Sequence, residues 1–130
     1  MYYRSPSQLR DFNFPVQAGG DNPLNGRAIN ARIREHTNVK DLDIVMAYSD
    51  GYADNVFPSS YTRCLETFMD WTYGEETLTD FSKAADCQAK FAYGLSKQNK
   101  YMSPFSTRAW TIKQKKRRGG KQDDISIIIA

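Results

Sequence analysis

The 130-residue sequence has little of the side-chain chemistry on which zinc sites and disulfide frameworks depend. It contains two cysteines and one histidine, too few ligands at too wide a spacing for a structural zinc site. Cys64 and Cys87 lie far apart in helix-like patterns. We therefore predict two buried free thiols in a reducing compartment. His36 lies in a polar stretch, where exposure to solvent is expected and a catalytic role is a remote alternative.

Long apolar runs and an excess of one charge are also missing. No run approaches the roughly 20 residues of a membrane-spanning helix, and no signal peptide is visible. The net charge is +3, and without one basic run it would be slightly negative, so nucleic-acid binding is not expected. We interpret this run as a solvated connector, with a nuclear signal or an anion-binding patch as alternatives. It contains Lys113, Lys115, Lys116, Arg117 and Arg118.

The composition that remains is that of one globular domain, 40% hydrophobic and 25% charged, in a chain long enough to bury a core. Turn signals and hydrophobic periodicity predict an α+β fold in the order strand, loop, strand, helix, helix, loop, strand. The predicted strands are residues 1–16, 44–49 and 125–129, with a short additional strand near 31–35 in a loop region that spans 17–42.

Two helices are predicted between the second and the last strand. The first begins after Pro58 and ends at Gly74, and the second begins at Thr79 and Asp80, which suit an N-cap. Residues 101–110 are predicted to be a loop and 113–121 a basic connector. The apolar positions at helical spacing are Tyr61, Cys64, Leu65, Phe68 and Met69 in the first helix, and Phe81, Ala84, Ala85, Gln88, Ala92 and Leu95 in the second.

The predicted strands and helices are too few to cover the apolar side chains on both faces of the strands. Residues 44–49 and 125–129 are apolar on both faces, and such strands need neighbours on both edges and cover on both faces. The sequence therefore indicates part of a larger sandwich.

Two short acidic segments adjoin these strands. Asp50 follows the strand at 44–49, with Gly51 and Asp54 close behind, and the pair Asp123 and Asp124 precedes the last strand. If the two strands run antiparallel side by side, Asp50 and Asp123 meet at the same end of the sheet. Converging carboxylates repel unless a cation or a proton lies between them, so the pattern favours a site for a hard metal. Turn and helix-cap duty, including a cap by Asn55, is the alternative for each segment alone.

The segments SDGYADN (residues 49–55), YMSPF (101–105) and GGKQDDIS (119–126) resemble the C-terminal part of the metal-dependent, type 2C (PPM) protein phosphatases. The resemblance is to the small mitochondrial branch related to bacterial SpoIIE-like phosphatases, and it extends to the start of the chain. There the matching residues are Tyr3, Arg4, Ser5, Gln8, Phe12 and Asn13.

The resemblance implies a partial α-β-β-α sandwich of mainly antiparallel strands with two adjacent helices. It also implies hydrolysis of phosphoserine or phosphothreonine by two Mg²⁺ or Mn²⁺ ions. Carried onto this sequence, Asp50 and Asp123 match metal ligands, while Gly51, Asp54 and Asp124 match positions that support them. Oxygen ligands suit these hard cations.

Part of the family pattern has no counterpart. The chain holds one Asp-Gly pair, so the family's metal-bridging aspartate is missing. Its phosphate-gripping arginine is missing too, because no arginine stands in that context. We therefore expect residues 1–130 to be the C-terminal portion of a phosphatase-like domain whose N-terminal half is absent, inactive alone. The arginines considered are Arg4, Arg10, Arg27, Arg32 and Arg34.

Three functional hypotheses follow from the partial pattern. In the first, a separate N-terminal half completes the chain as a phosphoprotein phosphatase. In the second, the chain is a non-catalytic structural or interaction subunit of a larger assembly. A truncated product with no stable fold is the third. The resemblance implies a mitochondrial location, with the cytoplasm as the alternative.

Overall fold

The computed structural model describes residues 3–15, 35–72, 75–113 and 117–130. The chain divides into two units, Met1–Val39 and Lys40–Ala130. In the first unit, β1 (Leu9–Asp11) pairs antiparallel with β2 (Phe14–Pro15). His36 is exposed there, as predicted, and its ring lies 4.0 Å from that of Tyr3. The predicted loop at 17–30 and the short strand near 31–35 lie almost entirely outside the described residues.

The second unit contains the helices and the remaining strands. Its described strands form antiparallel pairs, which together with the helices confirms the α+β class. No helix among the described residues is both long and apolar enough to cross a membrane. In chain order the elements are β3 (Met46–Tyr48), α1 (Asp50–Ala53), a 3₁₀ turn (Pro58–Ser60), α2 (Arg63–Glu66), β4 (Met69–Thr72), β5 (Glu75–Leu78), α3 (Phe81–Ser96), α4 (Pro104–Lys113) and β6 (Ile127–Ile129).

Strands β3 and β6 form the sheet that positions the acidic segments. They pair antiparallel with Ala47 opposite Ile128, so alternate side chains point to opposite faces. Met46 and Ile127 pack against the core on one face, whereas Ile128 on the other is 68% exposed. The cover that the sequence predicts for both faces of these strands is thus not supplied on the outer face by the described residues of the second unit.

Helix α3 supports the inner face of the sheet and begins where the sequence predicts. The Asp80 carboxylate accepts a hydrogen bond from the Lys83 amide at 2.9 Å, as an N-cap does. Ala84, Gln88 and Ala92 are buried at the predicted spacing. The predicted place of Phe81 on the buried face is wrong, because Phe81 lies in the first turn of α3 and is exposed.

An aromatic cluster joins α1 to α3. The rings of Tyr48, Tyr52 and Tyr61 lie 5.1 to 5.4 Å apart and pack with Ala92. Inside this cluster the Tyr52 hydroxyl donates a hydrogen bond to Gln88 Oε1 at 2.8 Å, and the Gln88 amide donates to the Tyr61 carbonyl. The two bonds satisfy the buried Gln88 side chain, and the one from Tyr52 fixes α1 to the body of the unit.

The helix predicted between Pro58 and Gly74 is wrong over most of its length. Between Pro58 and Thr72 the helical residues are those of the 3₁₀ turn and the four of α2, and β4 (Met69–Thr72) pairs antiparallel with β5 (Glu75–Leu78). The Thr79 amide and hydroxyl both donate to the Phe68 carbonyl, at 2.9 and 2.7 Å, which closes the hairpin at its base. Cross-strand pairing here overrides a helical spacing that extends for little more than two turns.

The loop predicted at 101–110 is also wrong, because α4 begins at Pro104. Proline fits the first turn of a helix, where its missing N–H costs nothing. Ser103 precedes it as an N-cap whose hydroxyl accepts from the Ser106 amide at 3.1 Å. Buried Phe105 and Ala109 then face inward. The Ser-Pro-x-Ser signal was present in the sequence.

The prediction of two free thiols is wrong as well. Cys64 on α2 and Cys87 on α3 form a disulfide with Cα atoms 5.8 Å apart. The short helix α2 packs across α3 and brings the two residues together, which their separation along the sequence does not reveal. The bond ties the segment after α1 to the helix beneath the sheet.

Candidate metal-binding site

The pairing of β3 with β6 brings the two acidic segments to one end of the sheet. The Ser49 amide donates to the Ser126 carbonyl at 3.0 Å, and the Ser126 amide donates to Ser49 Oγ at 3.0 Å. These bonds continue the ladder toward Asp50 and Asp123. Carboxylate oxygens of Asp50, Asp54 and Asp123 lie within 4.8 Å of one another. The predicted convergence of Asp50 and Asp123 is therefore observed.

Gly51 makes this convergence sterically possible. A Cβ at this position would lie 2.2 Å from the Asp124 carbonyl oxygen and 3.3 Å from Asp123 Cβ. The glycine thus allows the chain's own 123–124 backbone to approach closely. Asp124 takes part through that backbone, since its carbonyl accepts from Ser49 Oγ at 2.9 Å, and its side chain is exposed.

Asn55 joins the two segments from beneath. It is fully buried, and its Nδ2 donates to the carbonyls of Gly51 and Lys121 at 2.8 and 2.7 Å. Its Oδ1 accepts from the Lys121 amide at 2.8 Å. Asn55 therefore bonds back to a carbonyl of α1, as a cap at the end of a helix does, and it also links two chain segments 66 residues apart.

The backbone leading into Lys121 is held just as tightly. The hydroxyls of Ser103 and Ser106 donate to the Gly119 carbonyl at 3.0 and 2.7 Å. Gly119 has φ +103, and a Cβ on Gly120 would lie 2.3 Å from the Leu95 carbonyl oxygen. A side chain at either glycine would push the segment away from the helices. The two glycines therefore fix the position of the backbone at Lys121.

Lys121 is the residue that sequence reasoning missed. Its ammonium lies 2.7 Å from Asp123 Oδ2, 2.8 Å from Asp54 Oδ2 and 3.6 Å from Asp50 Oδ2. The side chain is only 15% exposed, although it was assigned to a solvated basic connector. The available signal was its place two residues before an acidic pair in a glycine-bounded segment.

Asp54 is neutralised from two sides and buried. Its Oδ1 pairs with the Arg108 guanidinium and its Oδ2 with Lys121, while its side chain is 3% exposed. Arg108, on α4, was also missed because that segment was predicted to be a loop. Both Asp54 oxygens are thus engaged, and the carboxylate holds the two cations in place.

Lys121 and Asp123 stabilise each other's charged forms. A hydrogen bond from Lys121 lowers the pKa of Asp123, against a smaller opposing effect of burial. Partial burial alone would lower the pKa of Lys121, but hydrogen bonds to Asp123 and Asp54 outweigh it and the pKa is raised. Both groups are therefore charged at neutral pH.

Asp50 and Asp123 remain as the carboxylates open to an ion. Their side chains are 72% and 36% exposed, and Asp123 in addition pairs with Lys121 through Oδ2 and accepts from the Asp124 amide through Oδ1 at 3.0 Å. An all-carboxylate set without histidine or cysteine fits Mg²⁺ or Mn²⁺ better than softer metals. Two carboxylates supply only part of an octahedral shell, so the residues present fit a hard cation but leave its coordination incomplete.

Proteins of similar sequence are phosphatases by name. A protein phosphatase PTC7 homolog fig of Drosophila mojavensis is 33% identical over 134 residues, covering 98% of this chain and 41% of the relative. The rice (Oryza sativa subsp. japonica) protein phosphatase 2C 24 is 30% identical over 135 residues, covering 100% of this chain and 38% of the relative. No protein-family model matches the chain.

A solved structure has the same fold. The X-ray structure of the photosystem II phosphatase PBCP matches with a TM-score of 0.73 and 21% identity, covering 96% of this chain and 49% of that one. The fold and the sequence relatives together identify the class: the chain is related to the type 2C, PPM-type protein phosphatases. It corresponds to a C-terminal portion of such a phosphatase, with the PTC7 homologs among its relatives. It spans about 40% of the length of the curated relatives it matches.

Proposed function

We propose that this chain is the C-terminal half of a metal-dependent phosphoserine/phosphothreonine phosphatase domain and is active only when an N-terminal half completes it. Asp50 and Asp123 would bind Mg²⁺ or Mn²⁺. Gly51, Asp54 and Asp124 would support them. The observation that carries the proposal is the carboxylate pocket formed where the segment after β3 meets the segment before β6.

The chain's own residues supply metal ligands and their support. A divalent ion bound there would supply an activated water and charge stabilisation at a phosphoryl group. Asp50 and Asp123 would hold it, and Gly51 and Asn55 would keep their two segments in contact.

Among the described residues no arginine fills the phosphate-gripping role. Arg108 is the arginine paired with a carboxylate of the acidic cluster, and its guanidinium is committed to Asp54. The groups that would grip a substrate phosphate and complete the metal shell must then come from another segment or chain.

The exposed outer face of the β3–β6 sheet supports the proposal that another portion of the domain packs there. Val45 is 56% and Ile128 68% exposed, next to exposed Ala47 and Ala130. Adjacent aliphatic side chains on one sheet face are typical of an interior or an interface. We propose that the absent portion of the phosphatase fold packs on this face.

A non-catalytic subunit is the second candidate function. The observation that favours it is Lys121, which already neutralises the acidic cluster without a metal. In that case the fold would be kept for binding within a larger assembly. A mitochondrial location is proposed for either function from the resemblance described above, with the cytoplasm as the alternative, and imaging of the tagged native protein distinguishes them.

Reconstitution tests the proposed function. The purified chain with Mn²⁺ and a phosphopeptide is expected to show no turnover. Turnover is expected when it is co-expressed with the N-terminal portion of the Drosophila mojavensis PTC7 homolog, and Asp50→Ala or Asp123→Ala should abolish it. Asp86→Ala is the matched control, because it removes an exposed carboxylate on α3 away from the cluster.

The two candidate functions give different results. A reconstituted complex in which Asp50→Ala and Asp123→Ala retain full turnover contradicts the metal-ligand assignment. A stable complex without turnover, whose assembly is indifferent to both substitutions, supports the structural subunit instead.

A further inference from the structure

We propose that Lys121 is a built-in counter-ion that holds the acidic cluster together without metal and competes with a divalent ion for it. This inference rests on the proposed metal site at Asp50 and Asp123 and concerns how that site is regulated. It predicts that the isolated chain binds metal weakly because its own ammonium already lies among the ligands.

The position of the ammonium is the first support. Lys121 Nζ lies 2.7 Å from Asp123 and 3.6 Å from Asp50, so it contacts both carboxylates that are open to an ion. An ammonium is a compact cation with three donors. Where three carboxylates converge, such a cation removes the repulsion that would otherwise separate them.

The attachment of Lys121 is the second support. Its ammonium also pairs with buried Asp54 at 2.8 Å, and its backbone is bound on both sides by Asn55. The ring of Phe105 lies 5.4 Å from the ammonium and favours a cation there. If a metal drew Asp123 away, Lys121 would therefore stay paired with Asp54, next to the carboxylates that would hold the ion.

Repulsion between the Lys121 ammonium and a divalent ion determines whether Lys121 strengthens or weakens metal binding. A unit positive charge kept that close to a divalent ion at a solvent-exposed site weakens metal binding by roughly tenfold. Replacing Lys121 by a neutral side chain of similar length should thus strengthen binding. A purely structural role for Lys121 predicts the opposite, since losing it would loosen the ligands.

Titration of the full chain with Mn²⁺ alone tests this, with free Mn²⁺ counted by electron paramagnetic resonance at fixed pH. Lys121→Met is expected to bind Mn²⁺ about tenfold more tightly than the natural chain. Lys121→Arg, which keeps the charge, should stay close to the natural affinity. Lys90→Met is the matched control, because it removes the same charge from an exposed ion pair on α3 and should change nothing.

A measurement on the unsubstituted chain tests the inference even if the Lys121→Met variant does not fold. The ¹⁵N resonance of the Lys121 ammonium should shift as Mg²⁺ is added, with the same midpoint as the Asp123 carboxylate. A resonance unmoved by Mg²⁺ at saturation overturns the inference.

The outcomes separate this inference from the proposed function. Mn²⁺ binding that is equal or weaker in Lys121→Met overturns the counter-ion role and leaves the metal site standing. Binding absent from both chains, or unaffected by Asp50→Asn and Asp123→Asn, overturns both. Tighter binding in Lys121→Met that Asp123→Asn abolishes supports both.

Discussion

At the scale of single residues, three non-acidic residues hold the carboxylates of the acidic cluster together. Gly51 lets two backbones touch, Asn55 bonds to both, and Lys121 lies among the carboxylates. The sequence could predict the meeting of Asp50 and Asp123, because strand direction alone decides which ends of the two strands coincide. It could not predict Lys121, because a lysine in a basic stretch is exposed far more often than buried.

Replacing Gly51 by alanine should separate the acidic segments. The added Cβ would overlap the Asp124 carbonyl oxygen at 2.2 Å, and we expect a loss of about 1–3 kcal/mol in the free energy of unfolding. Gly94→Ala is the matched control, since a Cβ there meets no atom within 4 Å on α3. It should raise stability by up to about 1 kcal/mol. Chemical denaturation of both variants checks this, and equal effects would contradict the close contact.

The N-cap at Asp80 gives a pH dependence. The hydrogen bond from the Lys83 amide lowers the pKa of Asp80 below its usual 3.8, so its ionised form stabilises the folded chain. That stabilisation is present above pH 3.8 and is lost as the pH falls through the lower, folded-state pKa. The melting temperature of Asp80→Ala should thus lie below that of the natural chain at pH 7, with a smaller gap at low pH. A gap that grows on acidification would contradict the cap.

At the scale of elements, the sequence succeeded where periodicity was long and failed where it was short. Helix α3 has four turns of consistent spacing and a cap, so its start and buried face were predictable. Helix α2 has a single turn, and the hairpin after it depends on pairing between strands that a helical spacing hides. The Cys64–Cys87 disulfide was missed for the same reason, because it depends on the packing of α2 against α3.

Loss of that disulfide should destabilise the second unit. It closes a loop of 23 residues, for which chain entropy predicts about 3 kcal/mol of stabilisation. The Cys64→Ser/Cys87→Ser pair should therefore lower the free energy of unfolding by that amount. Adding a reductant should do the same to the natural chain and nothing to the variant. A reductant effect on the variant would contradict the assignment.

At the scale of the whole molecule, the β3–β6 pair of the second unit leaves an aliphatic outer face exposed, which is consistent with the additional layer that we propose. The class of fold and the need for further cover were visible in the sequence, because strands apolar on both faces cannot end in solvent without cost. The sequence does not predict what would cover the exposed outer face of β3 and β6.

A charge on the outer sheet face should block completion of the fold. Because Ile128 is exposed in this chain, Ile128→Lys should change the stability of the isolated chain by no more than about 0.5 kcal/mol. The same substitution should weaken binding to the N-terminal portion of a relative at least tenfold, by about 1.4 kcal/mol or more. Ile112→Lys, at a similarly exposed position on α4, is the matched control, and equal losses for both would contradict an interface on this face.

The most direct test of the central claim is a map of Mn²⁺-induced broadening over the backbone amide resonances of the full chain. Binding between Asp50 and Asp123 predicts selective loss of the signals of Gly51 and Asp124, abolished in Asp123→Asn. Broadening centred on the exposed α3 carboxylates, or unchanged by that substitution, would contradict the assignment of Asp50 and Asp123 as ligands.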